Sequence, residues 1–317
     1  MKKDFWDRFA GKLKSVDEAP EPLQSAMRAA LKPNDSIRLL LFGPASKTFD
    51  KCSPATLLAV LDHEWAAVSG LEDIPAQIAR AEFAGTLFVE LTNILLYGRL
   101  KIDFVSEGGT QSVAVEFNTV MDRLYQEAVQ LLLDGMDGVS AATPIEDRQA
   151  GSLLCSLPLK FRNAVIEFRP ASQQALAVLH WPALLGGRRR WFQRELSPEA
   201  IMVLTGRELL FISEEKTGSW MRIGRVNKYG SIATYCPLSR LKRFQINERG
   251  PLAMLELELR ARQGGAKVEV PFPAGQREEM SAFMERALSQ DSSRPVPANV
   301  ETNGFLPADS RGGIFTP

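Results

Sequence analysis

Histidine is almost missing: the 317 residues hold two, His63 and His180. Metal centres and acid–base catalysis lean on imidazole, so this scarcity lowers the expectation of both. Cysteine is scarce too. Cys52, Cys155 and Cys236 are far apart, odd in number and never in a Cys-x-x-Cys pair. That argues against a disulfide framework or a zinc site and fits a reducing compartment. Cys155 and Cys236 lie in apolar runs and read as core. His63, in Leu61-Asp62-His63-Glu64-Trp65, reads as a surface turn, and His180 beside Trp181 as local packing. No run approaches the roughly 18 apolar residues of a membrane-crossing helix. The start, Met-Lys-Lys-Asp-Phe-Trp, has no apolar signal core and no myristoylation site. Phosphate loops, dinucleotide fingerprints, nucleophile elbows and His-Glu-x-x-His are all missing. The expectation is a cytoplasmic protein that is not an enzyme, with no cofactor and no metal.

What is present is ordinary globular material. Hydrophobic residues make up 45% and charged residues 24%, enough to bury a core in about two domains. Residues 1–16 read as an amphipathic helix with Phe5, Trp6, Phe9, Leu13 and Val16 on one face. A second short helix is expected over 23–31, ending before Lys32-Pro33. The texture then turns to short apolar runs between turn residues, which predict strands over 37–42, 56–61, 65–68, 86–91, 94–97, 100–105 and 112–117. Gly108-Gly109 suits a hairpin. A helix follows, with Met121, Leu124, Tyr125, Ala128, Leu131 and Leu132 at helical spacing and Gly135 as its stop. Strands are expected again over 164–168, 201–204, 209–212, 231–235, 241–246, 254–259 and 267–270. A last helix carries Met280, Phe283, Met284, Ala287 and Leu288. Residues 291–317, rich in Pro, Gly, Ser and Asn, read as a disordered tail.

The two strand-rich stretches align. Phe42-Gly43-Pro44-Ala45-Ser46 matches Phe168-Arg169-Pro170-Ala171-Ser172, Ala59-Val60-Leu61 matches Met202-Val203-Leu204, and each copy ends in a helix. The growing offset places an insertion at about 173–198 of the second copy. Ala200–Ile212, an apolar strand ending in Thr, a turn and a second apolar strand, resembles the hairpin of bacterial pleckstrin-homology (PH) domains. Tyr235–Leu241 resembles their following strand and turn. That resemblance implies an α+β, mainly β fold: two PH-like barrels or sandwiches, each closed by a C-terminal helix. The expected organisation is an N-terminal helical segment 1–33, domain 34–134, linker 135–157, domain 158–290 and tail 291–317. The fold hosts lipid binding, peptide binding and scaffolding, so it does not fix function.

Charge divides unevenly. Residues 34–134 hold 7 basic and 14 acidic residues (7 − 14 = −7), while 158–290 hold 21 and 13 (21 − 13 = +8) with no Asp. Such asymmetry points either to an acidic partner or to attraction between the halves. Within the second copy the basic residues gather at Arg188, Arg189, Arg190 and Arg194, with Trp181 and Trp191 beside them, and again at Arg240, Lys242 and Arg243. Rings beside guanidiniums suit the headgroup layer of an anionic membrane. The PH resemblance implies basic residues in the loop after the first strand, near this cluster. The expected function is therefore binding of an acidic surface, anionic lipid headgroups first, through the basic second copy at the inner face of the membrane. The expected ligand residues are Arg188, Arg189, Arg190, Trp191, Arg194, Trp181, Lys242 and Arg243, with Phe5, Trp6, Phe9 and Leu13 as a second contact. The alternative is a protein-interaction scaffold working through the N-terminal helix or the tail. Nucleic acid is not expected, since the first copy is acidic and stacking aromatics are few.

Overall fold

The computed structural model describes residues 10–48, 51–71, 74–138, 153–170, 173–186, 194–214 and 230–292. It is mainly β, with four α-helices among these residues. The first part runs β1 (Gly11–Lys12), α1 (Leu23–Ala30), β2 (Ile37–Gly43), a small hairpin β3 (Ser46–Thr48) and β4 (Lys51–Ser53), then β5 (Ala55–Leu61), β6 (Glu64–Leu71), β7 (Ile74–Glu82), β8 (Thr86–Ile94), β9 (Tyr97–Ser106), β10 (Gly109–Asn118) and α2 (Asp122–Asp137). The second runs α3 (Leu159–Phe168), β11 (Ala175–Trp181), a small hairpin β12 (Leu184–Gly186) and β13 (Arg194–Ser197), then β14 (Ala200–Thr205), β15 (Glu208–Glu214), β16 (Gly230–Pro237), β17 (Leu241–Arg249), β18 (Leu252–Ala261), β19 (Gly264–Pro273) and α4 (Arg277–Ser292). The order is the same twice: a helix, four long strands with a small hairpin after the first, a 3-10 turn, three strands and a closing helix.

The halves are not beads on a string. β8, β9 and β10 of the first half join β11, β14, β15 and β16 of the second in one antiparallel seven-stranded sheet, ordered β10-β9-β8-β16-β15-β14-β11. The seam is β8 against β16, from Gly230↔Ile94 to Tyr235↔Val89. The remaining strands form a five-stranded sheet β1-β2-β5-β6-β7 and a three-stranded sheet β17-β18-β19. One core cluster crosses the seam, joining Leu91, Tyr125 and Leu132 of the first half to Phe161, Phe168, Val203 and Tyr235 of the second. Two guanidiniums clamp the same joint. Arg207 donates to Asp134 at 2.9 Å and Asp137 at 2.7 Å. Arg240 donates to the carbonyls of Phe83 (2.9 Å), Thr86 (3.0 Å) and Met136 (3.4 Å). Met136 lies in the last turn of α2, where the helix dipole favours a cation.

Several expectations are corrected. Residues 10–15 are not helical: Gly11 and Lys12 pair with Phe42 and Leu41, and only a 3-10 turn begins at Val16. Residues 164–168 belong to α3, whose buried Phe161, Ala164, Val165 and Phe168 follow the i, i+3, i+4, i+7 spacing of a helix. The match of Phe42–Ser46 to Phe168–Ser172 therefore sets a strand against a helix. Equating the two hairpins from their pairs Val60↔Trp65 and Leu204↔Leu209 shifts the other match by one residue, which exchanges the faces of a strand. The supposed insertion contains β11, the outer strand of the seven-stranded sheet. Residues 94–97 are not one strand: Ile94 ends β8, Leu95 and Leu96 turn the chain, and Tyr97 opens β9 opposite Ile94. α2 continues past Gly135, where the Phe83 ring packs so closely that a Cβ would meet it at 2.4 Å. The helix stops at Gly138 instead, in the left-handed region at φ 67°. Cys236 is buried, as read, but Cys155 is exposed.

Candidate functional site

The residues singled out from sequence separate into three groups. Arg188, Arg189, Arg190, Trp191, Phe5, Trp6 and Phe9 lie outside the described residues, and Arg194 is placed by its backbone alone, paired with Gly186. Trp181 is overturned as a surface contact. It is 0% exposed at the end of β11, stacked at 5.8 Å on Phe211 and edge-on to Phe272. A large ring at an inward strand position is core. Leu13 packs half-buried against the cluster of Val16, Leu23 and Leu40, and its N–H bonds Leu40 O at 2.9 Å, so it offers no helical face. Lys242 and Arg243 are exposed on β17, and both pair with Glu258 on the adjacent strand β18. Lys267 on β19 pairs with Glu256 at 2.6 Å. That sheet face is a ladder of alternating charge, with hydrogen bonding to Lys242 and Arg243 holding the Glu258 carboxyl below its usual range. Arg240 and Arg207 are consumed by the joint. The basic excess of the second half is thus much less available than its sequence suggests.

A different feature stands out. Because every pairing in the seven-stranded sheet is antiparallel, one end of it gathers the β8–β9 turn, the exit of β10, the β11–β14 connection with its hairpin, and the attachment points Glu214 and Gly230 of residues 215–229. Large apolar side chains are exposed along this end: Leu95 68%, Leu96 69% and Val120 80% at its β8–β10 side, and Leu185 55% on the hairpin that follows β11 at the other side. Leu95 sits at φ 53°, in the left-handed region. Two-residue hairpin turns need this conformation, and Asn or Gly normally supplies it. The turn is nevertheless held firmly, since Thr119 Oγ1 donates to Leu95 O at 2.6 Å and Thr119 N–H to Leu96 O at 3.2 Å. Asn118 caps the following turn by accepting from Val120 N–H at 3.0 Å. A fixed pair of exposed leucines on a strained turn has no packing explanation among the described residues.

Beside the turn lies a cavity of about 300 Å³ lined by Asn93, Leu95, Thr119, Asp122, Glu167, Phe168 and Ser231. Asp122 accepts from Asn93 and Gln126, each at 2.6 Å. Partial desolvation nevertheless pushes both carboxyls, the half-buried Asp122 and the exposed Glu167, above their ordinary values, and for Glu167 the nearby Asp122 charge adds to this. Elsewhere, Glu116 accepts from the hydroxyls of Ser46 (2.5 Å), Ser53 (2.6 Å) and Tyr97 (3.1 Å), a saturated carboxylate that ties the small β3–β4 hairpin to β10. Among the described residues no group of three or more His, Cys, Asp or Glu is arranged to hold a metal. No helix among them is long and apolar enough to cross a membrane.

Sequence reasoning missed Leu95 and Leu96 because they continue an apolar run, Ile94-Leu95-Leu96-Tyr97, without a Gly, Asn or Asp to mark a turn. No protein-family model matches the chain, and a comparison with the curated proteins finds no match either.

Proposed function

We propose that the chain is a non-catalytic peripheral binder of anionic lipid surfaces, contacting them with the end of the seven-stranded sheet that carries Leu95, Leu96, Val120 and Leu185, and that its repeated unit is PH-like. The twice-repeated order of four strands, three strands and a closing helix supports the PH reading. The observation that carries the lipid reading is the strained, exposed Leu95-Leu96 turn. It shares its end of the sheet with the attachment points of residues 187–193 and 215–229. Those two stretches contain Arg188, Arg189, Arg190 and Trp191, and Trp220, Met221, Arg222, Arg225 and Lys228. Apolar side chains entering the headgroup layer beside cations that meet phosphate is the combination that holds peripheral proteins on membranes. Compared with the reading from sequence, Trp181 drops out, and Lys242 and Arg243 become secondary because Glu258 already engages them.

Co-sedimentation of the full chain with vesicles tests this. Binding is expected to phosphatidylglycerol-containing vesicles and not to pure phosphatidylcholine, weakening as salt screens the charges. A Leu95→Asp/Leu96→Asp variant and an Arg188→Glu/Arg189→Glu/Arg190→Glu variant should each lose most of it, while Lys242→Glu/Arg243→Glu should lose little. Absence of binding by the wild-type chain at low salt would overturn the proposal and leave the leucine turn as a contact for a protein partner.

A further inference from the structure

The seam between the halves is a template, and its two strands have unused counterparts. β7 ends in the 3-10 turn Phe83–Gly85 as β16 ends in Leu238–Arg240, and β8 and β17 begin directly after those turns. The equivalence extends to detail. β8 bulges between Thr86 and Phe88 against β9, and β17 bulges between Leu241 and Arg243 against β18. Inside the chain, the fifth long strand of the first half (β8) pairs with the fourth long strand of the second (β16). Repeating that relation leaves one strand of each kind over. Among the described residues, β7 and β17 each pair on one side only and are the outer strands of their sheets.

We propose that a second copy of this chain docks there, β17 of one copy pairing antiparallel with β7 of the next, so that copies assemble head to tail. Counting from the 3-10 turns, Ala233 corresponds to Ile78 and Leu91 to Ile246. The internal pair Ala233↔Leu91 becomes Ile78↔Ile246, flanked by Gln77↔Asn247 and Ala79↔Gln245. Ile78 is 51% exposed in the single chain, an apolar side chain at the centre of an open strand edge. Extending the register brings Glu82 level with Lys242, and each would share the partner it already has within the chain, Arg262 and Glu258. The charges agree with this at larger scale, because each joint sets the acidic half of one copy (−7) against the basic half of another (+8). The relation is heterologous: the patch on one copy differs from the patch it meets, so assembly is open-ended unless its rotation closes a ring. The joint is weaker than the internal one. The clamping Arg207 and Arg240 correspond to His63 and Gly85 in the first half, so neither guanidinium is repeated. Assembly is therefore reversible and depends on concentration. It rests on strand order and register and is independent of the lipid reading.

Sedimentation velocity and light scattering on the full chain, over a wide concentration series at low and high salt, read this directly. Mass should rise with concentration beyond a dimer and fall in high salt. Ile78→Lys and Ile246→Lys each block one edge and should each be monomeric with unchanged circular dichroism; Ile78→Lys should keep its melting temperature, while Ile246→Lys, whose side chain packs half-buried on the second core, should melt somewhat lower. Mixed together they should form a dimer and stop, because each retains the edge the other has lost. A chain that stays monomeric at every concentration overturns the proposal. So does assembly that neither substitution changes, or a pair of variants that remain monomeric when mixed.

Discussion

Leu95→Asn should stabilise the fold while weakening the membrane contact, and the two effects have separate physical origins. A non-glycine residue in the left-handed region costs about 1–2 kcal/mol, a cost Asn largely avoids because its short polar side chain bonds locally. Leu95 sits there at φ 53° with 68% of its surface exposed, so replacing it forfeits little packing. Its carbonyl, which anchors the turn to Thr119, is backbone and survives the change. The expected gain is about 1 kcal/mol, or about 2 °C in a chain of this size. Burying a Leu side chain contributes about 1.5–3 kcal/mol, and with two thirds of it free to enter the lipid about 1–2 kcal/mol of partitioning is at stake. That corresponds to roughly a 5- to 30-fold loss in vesicle affinity. Denaturant melts and vesicle titration on the same preparation measure both. A variant that binds as tightly as wild type would refute the role given to this turn. One that melts lower would refute the strain argument.

Arg240→Met should cost about 3 kcal/mol, since it strips charged hydrogen bonds from the carbonyls of Phe83, Thr86 and Met136 at a joint where water cannot replace them; fluorescence- and circular-dichroism-monitored melts should then separate as the halves lose cooperativity. Gly135→Ala should destabilise by about 1–3 kcal/mol despite the better helix propensity of Ala, because the new Cβ meets the Phe83 ring at 2.4 Å. Glu167→Gln should stabilise the protein at neutral pH. Glu167 is exposed, but partial desolvation of its carboxyl and the neighbouring Asp122 charge raise its pKa in the folded state, so the native form binds the proton somewhat more tightly. Its favourable contribution is therefore complete below the unfolded pKa and is lost as pH rises through the folded one. The variant should show a flatter stability profile over that acid range, and an unchanged profile would count against the assignment.

Most of the fold could be read from periodicity, and the failures have identifiable causes. β5 and β14, buried on both faces, run apolar, and β18, buried on one face, alternates; all three were legible. β7 was not, because an outer strand carrying Pro75, Gln77 and Arg80 lacks the apolar pattern that a central position imposes. β11 was hidden by an alignment anchored on Pro-Ala-Ser, which placed the repeat unit one helix out of step. In α3 the run Ala164-Val165-Ile166-Glu167-Phe168 looks like a strand by composition, while its burial follows a helical period; here spacing was the better guide. The candidate site was least legible. Charge marks a sequence visibly, but whether Arg240 clamps a joint or faces solvent depends on neighbours more than a hundred residues away.

That last point bears on the uneven charge of the halves. Opposite net charge suggested two domains held together by long-range attraction, separable by salt. The joint is instead made of backbone pairing between β8 and β16, a shared apolar core, and Arg207 and Arg240 bound at short range. Salt screens exposed charges over about 10 Å but reaches partly buried pairs far less. Small-angle scattering of the Ile78→Lys variant, which cannot assemble through its β7 edge, should therefore give one profile at low and high salt, and a salt-dependent separation of the halves would contradict the continuous sheet. Since screening spares the internal joint, any salt dependence in this protein must arise at surfaces that remain exposed. These are the leucine-bearing end of the sheet, where the basic segments attach, and the open edges of β7 and β17.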